Sequence, residues 1–205
     1  MVARKESRPP KPPRERLGTE ERREQILNAS RGLFLSRRYD QVSMEDVAAQ
    51  AGVSKGLVFH YFSSKRDLYV AIVQEAAVEF LAATEVPEGT EPIAMLATGL
   101  GRYLDYVEAS STGYLALLRS GLGVDPVLFD LAESVRRTLA ERMLTNLPLD
   151  MLASAHLDLS SNAGLIVRGF IGFVEASSLE WLERKQMTRD ELLALWIRVL
   201  SASLR

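Results

Sequence analysis

The chain has 205 residues, a formal net charge of −2 and an apolar fraction of 47%, which suits one large packed domain or two small ones. It contains no cysteine, which excludes disulfides, zinc–thiolate sites and thiol nucleophiles and is compatible with a reducing cytoplasm. No apolar run approaches the roughly 20 residues that cross a bilayer, so no membrane partner is predicted. The two histidines, His60 and His156, lie far apart in the sequence, and we predict neither a metal site nor a cofactor.

The charge is unevenly distributed along the chain. Residues 1–70 carry 14 Lys or Arg against 9 Asp or Glu, whereas residues 71–205 carry 11 against 18. A basic N-terminal part followed by an acidic remainder suits a protein that binds phosphate groups through one end. Residues 1–18 form a proline-rich basic arm that is predicted to be disordered and lacks the apolar segment of a secretory signal. Either this arm contacts phosphates or the minor groove of DNA, or it is a solvated tail without a specific role.

The first predicted helix covers residues 19–37. Its apolar positions recur at helical spacing on one face, while Arg22, Arg23 and Arg31 lie outside that face. Tyr39 and Asp40 close the helix and lead into the next segment. The predicted inner face consists of Ile26, Leu27, Ser30, Leu33 and Phe34.

Residues 43–68, SMEDVAAQAGVSKGLVFHYFSSKRDL, predict two short helices, a tight turn between them and the start of a third. Ser43 and Asp46 have the spacing of a capping box, in which the hydroxyl accepts a free backbone N–H and the carboxylate favours the positive helix end. Gly52 can adopt the positive φ that a three-residue turn needs, and Ser54 caps the second helix. A capped helix, a glycine turn and a second capped helix are typical of the helix-turn-helix that enters the DNA major groove. The same turn also occurs in helical hairpins without a DNA role.

The apolar residues of this segment are interleaved so that the two helices pack together and leave polar residues outside. The predicted packing residues are Val47, Ala48, Val53, Val58 and Phe62. With this pattern, the chain resembles the TetR family of bacterial transcriptional repressors from about Thr19 to Tyr69, with few departures.

The first set of predicted DNA contacts lies at the starts of the two short helices. Ser43 is placed to bind a phosphate through its hydroxyl and backbone N–H, and Ser54 caps the recognition helix. Lys55 is the best candidate for a base edge such as that of guanine, and Leu57 for a thymine methyl group. The absence of a side chain at Gly56 lets the helix backbone approach a phosphate or a base.

The second set lies further along the recognition helix and just beyond it. Tyr61 and Lys65 match phosphate contacts of the family, whereas His60 either reads a base or phosphate or simply lines the surface. Phe59 departs from the family pattern, which usually has tyrosine here, so this position is expected only to pack. The resemblance implies that a dimer places two such helices about 34–36 Å apart on a palindrome.

Beyond residue 64 every segment has helical character, and none shows the alternation of a strand. The sequence therefore predicts an all-α protein with about nine helices. The resemblance implies a helix-turn-helix DNA-binding domain at 19–64 and a helical ligand-binding and dimerisation domain at 65–205. The predicted helices of this second part cover 65–83, 92–109, 113–119, 125–146, 152–184 and a last helix from the capping box at Thr188 to near Leu204, with breaks at 86–92, Gly121, Gly123 and Pro148.

The resemblance also implies a cavity for a small, mostly apolar effector among the middle helices. Each aromatic or apolar candidate for its wall suits an ordinary core equally well, because a pocket differs from a core only by its void. Asn162 and Arg168 are polar among apolar neighbours, so one of them either orients a ligand or makes a hydrogen bond between helices or subunits. The candidates are Phe80, Tyr103, Tyr114, Leu118, Phe129, Asn162, Arg168 and Phe170.

The last two helices are apolar on more than one side, so they are either central core helices or pack against a second copy of the chain. The resemblance favours a homodimer, in which these helices form a four-helix bundle. The predicted interface residues are Phe173, Ser177, Trp181, Leu192, Trp196 and Val199.

Catalysis has little support in the sequence. Glu175 and Glu180 lie near one face of a helix but are more simply surface groups, and no nucleophile motif or phosphate-binding glycine loop is present. The predicted function is therefore a cytoplasmic, nucleoid-associated bacterial regulator, a homodimeric repressor that a small molecule releases from a palindromic operator in double-stranded DNA. The alternative is a DNA-binding dimer that answers to a protein partner or organises DNA without a ligand.

Overall fold

The computed structural model of the chain describes residues 18–87, 91–118, 125–146 and 162–203. These residues form nine α-helices, one short 3₁₀-helix and no strand, so the prediction of an all-α fold is confirmed. The helices are α1 Thr19–Ser36, a 3₁₀-helix Tyr39–Gln41, α2 Met44–Ala51, α3 Lys55–Tyr61, α4 Lys65–Ala83, α5 Pro92–Ala109, α6 Ser111–Ala116, α7 Pro126–Asn146, α8 Asn162–Arg184 and α9 Arg189–Ser203.

The observed boundaries agree with the predicted ones to within two or three residues wherever both ends are described. Helix α6 begins at Ser111, ahead of the predicted residue 113, and residues 117 and 118 continue it in a wider π-type turn. The basic arm, the breaks at Gly121, Gly123 and Pro148, and the predicted start of α8 at residue 152 lie outside the described residues.

One apolar core joins α1, α2 and α3 to the first half of α4, and we call this unit the headpiece. The buried residues of α1 are those of the predicted face, with Ile26 and Leu27 shielded from solvent. Val47 of α2 and Val58 of α3 are fully buried against them. Leu68, Ala71 and Ile72 of α4 complete this core.

A second core joins the end of α4 to α5, α8 and α9, and we call this part the body. Leu104, Trp196 and Leu200 lie at its centre, and Phe80 of α4 packs against them. Helix α4 therefore belongs to both cores, and a domain boundary at residue 64 stays a prediction. None of the described helices is long and apolar enough to cross a bilayer.

Ion pairs also link the headpiece to the body. The Arg66 guanidinium, in the first turn of α4, donates to both carboxylate oxygens of Asp125, with Nε–Oδ2 at 2.6 Å and Nη2–Oδ1 at 2.8 Å. Asp125 also accepts the backbone N–H of Val127 at 3.0 Å, so it caps the start of α7. This bidentate ion pair links the start of α4 to the start of α7. In addition, Arg31 of α1 pairs with Glu79 of α4.

Candidate DNA-binding surface and ligand cavity

The predicted capping box holds the start of α2. The backbone N–H of Asp46 donates to Ser43 Oγ at 3.1 Å, and the backbone N–H of Ser43 donates to Asp46 Oδ2 at 2.9 Å. Hydrogen bonds from Ser43 lower the pKa of Asp46, because they favour its charged form. Gly52 ends α2 at φ +66°, as its place in the turn predicts. Both local predictions are confirmed.

Helix α3 exposes the side of the headpiece on which the DNA contacts were predicted. Ser54 Oγ accepts the backbone N–H of Leu57 at 3.2 Å and so caps the helix. Lys55, Gly56 and His60 are exposed, whereas Leu57 is half-buried. A Cβ built at Gly56 meets no atom within 4 Å, so the helix backbone is open to a close approach there.

The environment of Lys55 and Phe59 differs from expectation. The Lys55 ammonium pairs with Glu45 of α2, and this hydrogen bond lowers the pKa of Glu45. The ammonium also lies 5.7 Å from the centre of the Phe59 ring. Phe59 is 42% exposed and presents an aromatic surface beside Lys55 rather than packing into the headpiece core. That it makes no hydrogen bond to a phosphate, because it has no hydroxyl group, stays a prediction.

The remaining predicted contacts lie at the end of α3 and the start of α4. Tyr61 is half-buried against the headpiece core, and its ring meets that of His60 edge to face at 5.1 Å. Lys65 places its ammonium 4.2 Å from the centre of the Tyr39 ring. The structure thus brings Ser54, Lys55, Gly56 and His60 together on one exposed side, with Tyr61 and Lys65 more enclosed next to it.

A cavity of about 630 Å³ lies between the second half of α1 and helices α4, α5, α6, α7 and α8. This volume falls within the range of about 300–1,000 Å³ that is typical of small-molecule sites. Its wall is mainly apolar and includes Leu96, Leu100, Leu131, Val135 and Leu139.

Two family descriptions match the sequence. The family of bacterial regulatory proteins called tetR matches residues 26–72, and the tetracyclin repressor-like C-terminal domain matches residues 92–202. The chain belongs to the TetR family. Members of this family and the relatives that match are transcriptional regulators, so this TetR-family chain is a DNA-binding transcriptional regulator and not an enzyme.

Three known proteins illustrate the relationship. The transcriptional activator FasR of Mycolicibacterium smegmatis is 27% identical over 169 residues, which cover 82% of this chain and 75% of FasR. A TetR-family regulator from Streptomyces coelicolor superposes with a TM-score of 0.79 at 30% identity, covering 91% of this chain and 82% of that one. FadR of Bacillus subtilis, solved in complex with stearoyl-CoA, has a TM-score of 0.65 at 19% identity, covering 88% and 97% of the two chains. At that identity the likeness to FadR shows the fold alone.

In this TetR-family regulator, five of the eight predicted wall residues line the cavity: Phe80, Tyr103, Tyr114, Leu118 and Phe170. Phe129 does not, because α7 turns it to solvent, where it is 50% exposed, and presents Leu128 and Leu131 instead. Asn162 is exposed at the first turn of α8, also away from the cavity.

Arg168 is the third predicted wall residue that lies elsewhere. It pairs with Glu133 of α7, so it makes the interhelical contact that was the alternative to ligand binding. Glu133 also accepts from Arg136 Nη1 at 2.6 Å, and Arg136 Nε donates to Glu175 Oε1 at 2.9 Å. The hydrogen bond from Arg136 and the charge of Arg168 lower the pKa of Glu133. Among the described residues, no group of three or more His, Asp or Glu could hold a metal ion.

The sequence analysis missed the polar residues of α7 that line the cavity. Arg136 and Arg142 both lie in its wall, and Arg142 Nη1 donates to the carbonyl oxygen of Leu81 at 2.7 Å. Leu139 of the same wall lies midway between the two arginines, at the helical spacing from each that puts side chains on a shared face. That spacing was the available signal.

Three hydroxyl groups form a connected set at the cavity wall, and we call Tyr114, Tyr103 and Ser178 the hydroxyl chain. The hydroxyl oxygens of Tyr103 and Tyr114 are 2.5 Å apart, and Tyr103 Oη lies 3.0 Å from Ser178 Oγ. Ser178 Oγ donates to the carbonyl oxygen of Val174 at 2.6 Å. Burial raises the pKa of both tyrosines, so both hydroxyls are protonated.

The predicted dimer-interface residues separate into two groups. Trp181, Leu192 and Trp196 are buried within the single chain, with Trp196 fully enclosed, so they do not offer a surface to a second subunit. This part of the prediction is corrected, because α9 packs against α5 and α8 of the same chain and all three side chains lie in the core between them. Phe173 is exposed, whereas Ser177 and Val199 are half-buried.

An apolar stripe on α8 remains uncovered, and it consists of Leu165, Gly169, Gly172 and Phe173. Leu165 is 72% exposed and Phe173 is 37% exposed. A Cβ built at Gly169 or Gly172 meets no atom within 4 Å, so the backbone is open between the two large side chains. The backbone of this α8 stripe is therefore open to close approach by another helix.

Proposed function

We propose that the chain is a homodimeric, ligand-responsive repressor that leaves a palindromic operator when a small molecule fills the cavity. The observation that carries this proposal is the 630 Å³ cavity, whose wall includes α4. Helix α4 contributes Leu68, Ala71 and Ile72 to the headpiece core, and Ile72 together with Ala76 and Phe80 also lines the cavity. A shift of α4 on ligand binding would therefore move α3, and a displacement of α3 in either subunit would spoil the fit to two half-sites.

The cavity supports a mainly apolar ligand. Two of the arginines in its wall, Arg31 and Arg136, are paired with Glu79, Glu133 and Glu175, and a third, Arg142, donates to a backbone carbonyl, so these cations are already engaged. FadR, which shares the fold, was solved with stearoyl-CoA, and a long acyl chain suits the same kind of apolar space. We propose a ligand with a long hydrocarbon segment on these grounds.

The α8 stripe supports the homodimer. Exposed large apolar side chains with open glycines between them favour close helix–helix contact with a second copy. We expect Phe173→Glu and Leu165→Glu to shift the protein from dimer to monomer in analytical ultracentrifugation. Val78→Glu changes an equally exposed apolar residue of α4 and is expected to remain dimeric, so a loss of dimer in that variant as well would argue against a specific interface on α8.

Footprinting on DNA that flanks the protein's own gene, at a low and a high salt concentration, tests the operator. We expect a protected palindrome that is lost in Lys55→Ala. Arg184→Ala removes the same charge from α8 and is expected to keep the footprint. Diffuse, strongly salt-dependent DNA binding that is equal in the wild type and in both variants would contradict the reading of base sequence by Lys55.

The ligand response can be tested with stearoyl-CoA as the probe. We expect it to lower the operator affinity of the wild-type protein, because filling the cavity shifts the equilibrium toward the state that does not fit the operator. Ala132→Leu enlarges a side chain of the cavity wall and is expected to bind the operator while responding more weakly. Operator binding that stays unchanged at saturating probe, with the probe bound, would favour the alternative described next.

The second candidate function is a DNA-binding dimer that organises DNA or answers to a protein partner. A close-packed body would support it, whereas a cavity of several hundred cubic ångströms supports the sensor. A transcription assay with the operator fragment also separates repression from activation. This matters because FasR, which matches most of the chain, is named as an activator.

A further inference from the structure

The hydroxyl chain places polar groups in the mainly apolar wall of the cavity. Tyr103 and Tyr114 both line the cavity, and their rings meet edge to face at 6.3 Å. Ser178, at the inner end of the chain, is fully buried. A hydroxyl provides one donated hydrogen and two acceptor lone pairs, so a row of three hydroxyls has a direction.

The direction of the hydrogen bonds along the hydroxyl chain is set at Ser178. Its hydroxyl donates to the Val174 carbonyl at 2.6 Å, a shorter contact than the 3.0 Å to Tyr103. Since the serine hydrogen is used there, the Tyr103 hydroxyl must donate to Ser178 Oγ. The Tyr103 hydrogen is then used as well, so the Tyr114 hydroxyl must donate to Tyr103 at 2.5 Å. Every hydrogen of the chain therefore points inward, away from Tyr114.

The outer end of the chain is consequently an acceptor. The oxygen of Tyr114 keeps free lone pairs and accepts no hydrogen bond from any described residue. Because a lone pair of this oxygen is unused, a ligand group that donates to it gains a hydrogen bond and is favoured over an apolar group. A ligand carbonyl or ether at the same place would meet a second acceptor and gain nothing.

We infer that the cavity selects a mainly apolar ligand that carries a neutral hydrogen-bond donor, a hydroxyl or an N–H, which binds the oxygen of Tyr114. This inference rests on the proposed function, since it names the chemistry of the ligand for the same cavity. The donor is neutral, because a cation would lose its hydration in an apolar site. The wall thus distinguishes molecules of the same length and shape by one hydrogen atom.

A matched pair of probes with the same number of heavy atoms tests the inference: 1-dodecanol, which has a donor, and undecyl methyl ether, which has only an acceptor. Tryptophan fluorescence reports binding, because the ring of Trp196 lies 5.9 Å from that of Tyr103. We expect the wild-type protein to bind the alcohol about tenfold more tightly than the ether, as one additional well-formed buried hydrogen bond allows.

Two tyrosine variants locate the effect. In Tyr114→Phe the ratio of the two affinities is expected to fall to about one, with the affinity for the ether nearly unchanged. Tyr106→Phe is the matched control, because Tyr106 also lines the cavity, but its hydroxyl both donates to the carbonyl of Ala76 at 3.0 Å and shares a hydrogen bond with the Ser110 side chain. The ratio is expected to persist in this control.

A third variant tests the direction of the chain. Ser178→Ala removes the acceptor of the Tyr103 hydrogen, so Tyr103 can donate to Tyr114 and Tyr114 can donate to a ligand. The preference for the alcohol is then expected to fall severalfold, with a gain for the ether. This variant also provides a test that does not depend on the folding of Tyr114→Phe.

The outcomes separate the two proposals. Equal affinities for alcohol and ether in the wild type, or a ratio that persists in Tyr114→Phe, would overturn the inference and leave the ligand cavity intact. Tighter binding of the ether would also overturn the inference, because it would mean that the hydrogen bonds of the hydroxyl chain run in the opposite direction and that Tyr114 donates to the ligand. If the wild type binds neither probe nor stearoyl-CoA, the proposed ligand response fails, and the inference fails with it.

Discussion

The headpiece and the body are built from the same kind of apolar helix, yet they fill space differently. In the headpiece, Ile26, Val47, Val58 and Leu68 are fully buried around one continuous core. The helices of the body instead surround, together with the second half of α1, a cavity of about 630 Å³. A close-packed core holds α3 at a fixed position, whereas a hollow wall can yield when a ligand enters it. Helix α4 runs through both regions and joins the rigid part to the deformable one.

The largest expected effect comes from truncating a leucine in each region. Leu68→Ala leaves a void in the close-packed headpiece and is expected to lower the free energy of unfolding by about 3 kcal/mol. Leu131→Ala enlarges a space that already exists and is expected to cost about 1 kcal/mol. Urea denaturation of both variants gives the two values. Equal losses would show that the body is packed as tightly as the headpiece.

Adding volume is the converse experiment. Ala48→Leu overfills the contact between α2 and the rest of the headpiece and is expected to cost about 1–3 kcal/mol. Ala132→Leu projects into the cavity and is expected to change the free energy of unfolding by less than about 1 kcal/mol. Thermal or urea unfolding compares the two. A large loss in Ala132→Leu would mean that the wall does not accept the side chain.

Two glycines of the headpiece separate stability from DNA binding. Gly52→Ala places a side chain at φ +66° and is expected to lower the free energy of unfolding by about 1 kcal/mol. Gly56→Ala is expected to leave stability unchanged or raise it by about 0.5 kcal/mol. It should nevertheless weaken operator binding, because its methyl group lies on the open side of α3. Urea denaturation and a gel-shift titration measure both properties, and an unchanged gel shift in Gly56→Ala would remove this position from the DNA surface.

The smallest expected effect concerns the pH dependence of the body. Arg136 and Arg168 lower the pKa of Glu133 from its ordinary value of 4.5. The charged carboxylate is therefore more stable in the folded state than in the unfolded state. This stabilising contribution is fully present above pH 4.5 and is lost as the pH falls through the lower pKa of the folded state. Glu133→Gln should therefore be less stable at neutral pH and lose less stability on acidification. Parallel profiles of Tm against pH for the two proteins would contradict this assignment.

The features that could be read from the sequence are those set by neighbouring residues. The capping box at Ser43 and Asp46 and the turn at Gly52 involve atoms within four positions of one another, and both were predicted. The inner face of α1 also followed from spacing alone. Local hydrogen bonds and helical periodicity are sufficient at these positions.

The features that could not be read depend on the rotation of one helix against another. On α7, Leu128 and Phe129 are adjacent and both apolar, and only the packing of α7 on α4 and α8 decides which of them is buried. The same holds for Trp196, which α9 turns into the protomer core rather than toward a partner. Periodicity identifies an apolar face, but it does not say which neighbour covers that face.

The pair between Lys55 and Glu45 has a consequence for how the protein would search a genome. In the proposed complex, Lys55 exchanges Glu45 for a base, whereas on unrelated DNA Glu45 competes with the phosphate groups for the ammonium. The effect is small, because an exposed ion pair contributes little free energy. The glutamate thus acts as a competitor for the lysine, and it shortens the time that the protein spends at the very many incorrect sites.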